Sequence, residues 1–230
     1  MKYYAVIYLL FLSGCSCKNN FQEKHEASEI AVIIADTTGN RAATGDHLTF
    51  IHNNKVSQQI NLREISKGAD SIELRLWKYE SFFSRDELYI FKLKDSLWHI
   101  SHSLIYLRDQ DYDKPYNKKW DPFTQPIVDS ASAQSICISD REWKDSFPEF
   151  KIDSIWLLPS QSEINMPPEL GFLDGVSYCL EIADKKRYKL IKYGNPDYFF
   201  DKMGDSNHSK FLDVMNTLIV AGFLYGAVRR

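Results

Sequence analysis

The sequence has 230 residues, of which 44% are hydrophobic and 26% are charged, so it contains enough apolar material for a folded core. This composition excludes disorder as the main state of the chain. Its 28 Lys and Arg residues nearly balance its 31 Asp and Glu residues, for a net charge of −3. So mild a balance provides no basic surface for nucleic acid, and we expect no nucleic-acid partner.

The first 14 residues have the pattern of a secretion signal. One positive residue, Lys2, precedes the uncharged apolar run 3–12, and the small residues Ser13 and Gly14 follow it. The run is too short to span a bilayer, which needs about 20 apolar residues. We therefore expect residues 1–14 to be removed as a signal peptide.

Residues Leu12-Ser13-Gly14-Cys15 resemble the lipobox of bacterial lipoproteins. The resemblance implies that diacylglycerol is attached to the Cys15 thiol, that the chain is cleaved before Cys15, and that the new amino group is acylated. Two or three acyl chains hold a protein durably in a membrane. Ser16 is similar to the pattern that is sorted to the outer membrane, with either face possible. The alternative is a secreted protein with a free Cys15.

The predicted domain organisation has three parts. Residues 1–14 are the signal peptide, and residues 15–29 are the lipidated cysteine and a polar, flexible tether. Residues 30–230 contain no internal repeat and no Gly/Ser linker, which predicts a single globular domain.

The first half of this domain predicts an antiparallel meander, because short runs rich in β-branched and aromatic residues alternate with turn residues. Strand 71–79 should turn one face to the core and leave the other largely in contact with water. A turn at residues 94–96 should join the last two strands. The predicted strands are 30–35, 48–52, 56–65, 71–79, 87–93 and 97–107, and a hairpin turn at Asn53-Asn54 is predicted between the second and third.

The second half mixes helices with strands. Ser139 and Glu142 form a capping-box pattern that predicts a helix over residues 140–147, while residues 108–129 predict a long surface loop. A strand at 151–158, a loop at 159–171 and a hairpin of strands 176–183 and 187–193 follow. Ser206 should cap a terminal helix. Its core face is formed by Phe211, Leu212, Met215, Leu218, Ile219 and Gly222.

The predicted fold class is therefore α+β: an antiparallel meander sheet, a short middle helix, and a C-terminal amphipathic helix packed on the sheet. The end of the chain also resembles the terminal segment of uncharacterised bacterial lipoproteins, a resemblance that implies no particular activity. It is carried by Asp174-Gly175, Tyr178, Glu181, Tyr188, the run Tyr193-Gly194-Asn195-Pro196, and the helix after it.

The cysteines give no metal pattern. If Cys15 is lipidated, Cys17, Cys137 and Cys179 remain, an odd number for an oxidising compartment. Cys137 and Cys179 lie in strand-like runs, which favours two buried thiols; a disulfide between them is the alternative. No Cys-x-x-Cys spacing supports a zinc site.

We expect no metal site and no cofactor. Asp109, Asp111 and Asp113 resemble the start of a calcium loop, but the pattern then fails, so a solvated acidic loop is favoured. His99 and His102 would point to opposite faces of the predicted strand and could not share one ion.

Two enzyme hypotheses follow from the residues. Gly204-Asp205-Ser206-Asn207 resembles the nucleophile block of esterases with a Gly-Asp-Ser motif, but the downstream base of that family is missing, which favours a helix cap. A glycosidase needs only two carboxylates and carries no short motif. The candidates are Asp153, Glu163, Glu169, Asp174 and Glu181.

The best candidate contact surface is the aromatic set Tyr112, Tyr116, Trp120 and Phe123, interleaved with lysines in the predicted loop. The alternative is that Trp120 and Phe123 pin the loop to the core. The sequence thus favours a non-catalytic, lipid-anchored binding module of the cell envelope with a protein or glycan ligand. The alternatives are an envelope hydrolase acting on glycan or peptide, and an immunity-type protein that neutralises a toxin.

Overall fold

A computed structural model of the chain describes residues 30–34, 45–80, 85–108, 125–167, 170 and 175–226. These ranges contain seven strands: β1 (Ala31–Ile34), β2 (Ile72–Glu80), β3 (Arg85–Lys94), β4 (Leu97–Leu107), β5 (Val128–Ser139), β6 (Val176–Ala183) and β7 (Arg187–Gly194). The helices are α1 (Asp46–Gln59), α2 (Asp140–Ser146), α3 (Ile152–Ile155), α4 (Pro196–Met203) and α5 (Ser206–Gly226), with short 3₁₀ turns at Ile65–Lys67 and Gln161–Glu163.

The strands form one sheet in the order β1-β7-β6-β2-β3-β4-β5, which confirms the predicted α+β fold. The meander β2 to β5 and the hairpin β6–β7 are antiparallel and meet where β2 pairs with β6. The sheet is not purely antiparallel, however, because β1 pairs with β7 in parallel. The prediction of an entirely antiparallel meander was wrong in this respect, since a four-residue strand carries no signal of its partner's direction.

Helices pack on both faces of the sheet. The face covered by α5 and α2, called here the α5 face, carries the larger apolar core. On α5, Phe211, Leu212, Met215 and Leu218 are buried as predicted, and Gly222 leaves no room for a Cβ against the ring of Tyr89. The opposite face, the α1 face, holds a smaller apolar cluster around Trp77 and Leu190. No helix in the described part of the chain has the length and apolar character needed to cross a membrane.

Helix α1 replaces the two strands predicted at 48–52 and 56–65. Its buried side chains recur at helical spacing, but all except Val56 are polar: Asp46, Thr49, His52, Asn53 and Ser57. Hydrophobic periodicity could not detect this helix, because the side that packs on the sheet is bound by hydrogen bonds.

Three smaller predictions were also wrong. Residues 151–158 contain the short helix α3, and three of the four β1 residues are exposed although a buried strand was predicted. Strand β2 was predicted to expose one face to solvent, but both of its faces are buried. Glu73, Arg75 and Trp77 are as buried as the leucines between them, because α1 covers that side.

The turns and caps agree with the sequence in most places. Asp95 and Ser96, both with positive φ, join β3 to β4, as in a type I′ hairpin. The Ser139 hydroxyl accepts a hydrogen bond from the Glu142 amide and begins α2, as predicted. The cap of α5 differs: the Asp205 carboxylate, not Ser206, accepts hydrogen bonds from the Asn207 and His208 amides.

Candidate functional site

The proposed lipid-attachment cysteine and the four candidate contact residues lie outside the described part of the chain. Cys15 precedes residue 30, and Tyr112, Tyr116, Trp120 and Phe123 lie within 109–124, between β4 and β5. The two ends of this segment are joined: the Arg108 amide donates to the Ile127 carbonyl at 2.9 Å, and the Arg108 guanidinium lies 2.7 Å from an Asp129 oxygen. The residues on either side of the candidate contact segment are therefore bonded to each other, at the end of β4 and the start of β5.

Strand β5 forms one edge of the sheet and is twelve residues long. Ile138 is its only buried side chain, and no residue from 130 to 139 is charged or is a proline. Among the described residues, no element pairs with the outer side of β5. Natural edge strands are protected by charge, proline, bulges or shortness. The opposite edge, β1, has only four residues.

A trough of about 470 Å³ lies beside this edge on the α1 face. Its floor includes small side chains of β4 and β5, Ile90 and the charged Asp129 also line it, and Gln59, Ile60 and Leu62 form a wall at the end of α1. A volume of this size lies within the range of ligand sites. The floor residues are Ser101, Ser103, Ala131 and Ala133.

Gln59 fixes the wall of the trough to the first residues of β5. Its side-chain amide donates to the Pro126 carbonyl at 2.8 Å, and its oxygen accepts from the Val128 amide at 2.9 Å. This two-point contact holds α1 and β5 at a set separation and so maintains the width of the trough.

Buried polar contacts hold α1 to the sheet behind this wall. The Arg75 guanidinium, fully buried, donates to Ser57 of α1 at 3.2 Å and pairs with Glu73 at 2.7 Å. His52 of α1 lies 2.9 Å from Asp86, and Asn53 hydrogen bonds with Tyr79. Because Ser57, His52 and Asn53 are each paired with a side chain of the sheet, these contacts hold α1 in one position.

Glu181 is the most buried acid of this network. Burial raises the pKa of its carboxyl, while Arg75 and hydrogen bonds from Tyr188 and Trp77 oppose the rise. Trp77 Nε1 and the Tyr188 hydroxyl each donate to it at 2.6 Å. Since it is inaccessible to solvent, Glu181 serves the structure and is not a candidate glycosidase acid.

The other enzyme candidates also lack a suitable geometry. His208 is fully buried and its Nδ1 lies 2.5 Å from Asp205, so it cannot act as a base for exposed Ser206. Glu163 accepts a hydrogen bond from the Ser160 amide within its own 3₁₀ turn. Asp153 is exposed on α3, and Glu169 and Asp174 lie outside the described residues.

The two cysteines in the described ranges are both free thiols. Cys179 of β6 is buried, but Cys137 of β5 is exposed, so the prediction of two buried thiols was wrong for Cys137. Strands β2, β3 and β4 lie between β6 and β5, so four interstrand spacings of about 4.8 Å put the two cysteines about 19 Å apart. No disulfide spans this distance. Cys137 Sγ instead lies 3.0 Å from His99 Nδ1.

His99 and His102 lie on opposite sides of β4, as predicted. His99 is exposed on the α1 face, whereas His102 stacks on Tyr89 beneath α5, with ring centroids 4.4 Å apart. His102 Nε2 is 3.6 Å from Glu87, and this contact is the main reason why the pKa of Glu87 falls to about 2.

The sequence indicated only part of this site. It marked residues 135–139 as strand-like, assigned residues 128 and 129 to a loop, and made no assignment for residues 130–134, where serines and alanines carry no hydrophobic alternation. Within the described ranges, no group of three or more His, Cys, Asp or Glu side chains could hold a metal ion. The Asp109, Asp111 and Asp113 pattern falls outside those ranges.

Comparison with known proteins adds no family to this picture. Protein-family models and the curated proteins both give no match to this chain.

Proposed function

We propose that the protein is a lipid-anchored, non-catalytic binding module of the bacterial cell envelope, and that it binds an extended segment of a partner polypeptide along the outer edge of β5. The anchor is supported by the sequence alone, through the secretion signal and the Leu12-Ser13-Gly14-Cys15 motif. Ser16 favours the outer membrane.

The observation that carries the binding proposal is the outer edge of β5, with which none of the described elements pairs. A strand edge presents a row of backbone N–H and C=O groups, and an extended peptide pairs with them by strand addition. Over residues 130–139, no charge, proline or bulge opposes such pairing. The register irregularity of the β4–β5 pair lies between Tyr106 and Leu107, opposite Ser130 and Val128 at the start of β5.

The trough supports the same surface. A strand added next to β5 directs alternate side chains to the α1 face, beside the serine and alanine floor. Small uncharged floor residues leave space for a partner side chain, which provides specificity in addition to the backbone pairing.

The predicted contact residues belong to this proposal as a second element. Tyr112, Tyr116, Trp120 and Phe123 lie in the sequence between Arg108 and Asp129, whose side chains are hydrogen bonded to each other. Because they directly precede β5 in the chain, we propose that these aromatic residues add contacts to the polypeptide that β5 binds.

The test uses two proline variants of the intact protein, Ser132→Pro and Ala133→Pro. Of two consecutive residues in an edge strand, one directs its N–H to the neighbouring strand and the other directs it outward. A proline at the outward position leaves the β4–β5 ladder intact. The variant with the smaller loss in melting temperature identifies that position.

The ligand probe is a short fluorescent peptide of alternating valine and threonine, with binding followed by anisotropy. We expect saturable binding to the natural protein, and affinity at least about tenfold weaker in the fold-preserving proline variant, because one backbone hydrogen bond is lost and the edge is blocked. The control is Asn216→Lys, a substitution at an exposed position of α5. It should leave binding of the peptide unchanged. Equal binding by the fold-preserving proline variant overturns the proposal.

A further inference from the structure

A row of polar side chains crosses the α1 face at the end of the sheet beyond the trough. Glu73, Lys92, His99 and Cys137 are successive partners across β2, β3, β4 and β5. Lys92 Nζ lies 3.5 Å from a Glu73 oxygen, and His99 Nδ1 lies 3.0 Å from Cys137 Sγ. The row ends in an exposed thiol in contact with an exposed imidazole.

This thiol and its imidazole lie in line with the trough floor. On the α1 face of β4, His99 is the neighbour of Ser101. On the same face of β5, Ala133, Ser135 and Cys137 follow one another at every second residue. A ligand lying along the trough therefore extends toward the sulfur atom.

Cys179 provides the contrast within the same protein. It is fully buried, Asn53 contacts its sulfur atom at 3.6 Å, and burial raises the pKa of its thiol. A buried neutral thiol is inert, whereas an exposed thiol beside a base is the arrangement that reacts. Of the two described cysteines, only Cys137 has the geometry for chemistry.

We propose that Cys137 and His99 form a reactive thiol–imidazole pair that undergoes thiol–disulfide exchange with an accessible disulfide of a peptide or protein. The His99 Nδ1 atom takes the Cys137 Sγ proton, and the thiolate attacks one sulfur of the incoming disulfide. That disulfide bond breaks as a new one forms to Cys137, and the departing sulfur leaves as a thiolate that recovers the proton from His99.

The exchange conserves electrons, because the incoming disulfide is both oxidant and substrate. Its product is a mixed disulfide between Cys137 and one half of the substrate, which a second thiol can release. The proposal goes beyond strand capture and does not depend on it, since a small disulfide reaches an exposed sulfur without pairing with β5.

The experiment measures the rate at which Cys137 in the intact protein reacts with dithiodipyridine, an uncharged disulfide, by mass spectrometry of the peptide that contains Cys137. At pH 6 we expect Cys137 to react at least about tenfold faster than the free peptide Ser-Ile-Cys-Ile-Ser, which has the same local sequence. His99→Asn should remove most of this advantage at pH 6. At pH 9, where free thiols ionise in water, the natural protein and the variant should react alike.

Lys92→Gln is the matched control, because it changes the neighbouring residue of the same row and keeps the imidazole. It should retain most of the rate at pH 6. The proposal is overturned if Cys137 reacts no faster than the free peptide, or if His99→Asn leaves the rate at pH 6 unchanged. Strand binding by the Val/Thr peptide is measured separately, so the failure of one proposal is distinguishable from the failure of the other.

Discussion

Glu87 is held as an anion by several neighbouring side chains. His102 lies 3.6 Å from it, the Tyr89 hydroxyl donates to it at 2.9 Å, and Arg85 and Lys78 approach at 3.3 and 3.4 Å. These contacts outweigh burial and lower its pKa from 4.5 to about 2. Because the pKa is lower in the folded state, Glu87 stabilises the protein above pH 4.5, and this contribution disappears as the pH falls toward 2.

We therefore expect Glu87→Gln to lower the free energy of unfolding at pH 7 by on the order of 2 kcal/mol. The variant should also lose less stability than the natural protein between pH 4.5 and pH 2. Urea denaturation across this pH range measures both effects. Glu149→Gln, at an exposed site between α2 and α3, is the control. An unchanged pH dependence in Glu87→Gln would contradict the role given to these contacts.

Single residues also show where sequence reasoning succeeds. The Ser139 cap could be identified because its bond to the Glu142 amide is local, three residues apart. The contact between Cys137 and His99 could not, because the two residues are 38 positions apart and meet only through the β4–β5 register.

At the scale of elements, the central strands β2, β3, β4, β6 and β7 were located from their apolar residues, whereas the strand predicted at 151–158 was wrong and polar elements were missed. Strands β6 and β7 could be located because their buried side chains are mainly apolar and a turn at Asp184 separates them. Helix α1 was missed because its sheet-facing side is satisfied by Asp86, Arg75 and Tyr79 instead of by apolar packing. Because these partners are distant in the sequence, no local sequence pattern predicts the hydrogen bonds.

Helix α5 offers the clearest test at this scale. Leu218 is fully buried against the sheet, whereas neighbouring Thr217 is only partly buried and its hydroxyl bonds to the Asp213 carbonyl. Leu218→Ala should lower the free energy of unfolding by about 2–5 kcal/mol, and Thr217→Ala by much less. Thermal and denaturant unfolding measure the difference. Equal, small effects of the two substitutions would mean that α5 contributes little to the core.

At the scale of the whole molecule, the proposed anchor makes a separate prediction. Cys15→Ala removes the thiol to which diacylglycerol would be attached, so the variant should take up no label from a fatty-acid probe fed to the cells. The same variant should fractionate away from membranes. A Cys15→Ala protein that is still labelled would rule out the anchor and leave the binding surface of β5 unaffected.

The domain as a whole was more predictable than its site. The fold class follows from strand runs and one amphipathic helix, which are local signals. The candidate site depends on which surfaces the described residues leave uncovered, namely the outer side of β5 and the trough beside α1. The order of strand pairing decides which strand is at the edge. Only at an edge do the uncharged serines and alanines of β5 make the strand open to pairing with another chain.

The central claim is that the edge of β5 captures an extended polypeptide, and photo-crosslinking in the native cells tests it most directly. A benzophenone amino acid replaces Gln134 at the middle of the edge, or exposed Asn216 on α5 as a control. We predict a discrete partner crosslinked from position 134 and not from 216, with the attachment mapped to a continuous extended segment of that partner. The product should be lost in the fold-preserving proline variant. No crosslink at 134, or the same product from both positions, would contradict the account.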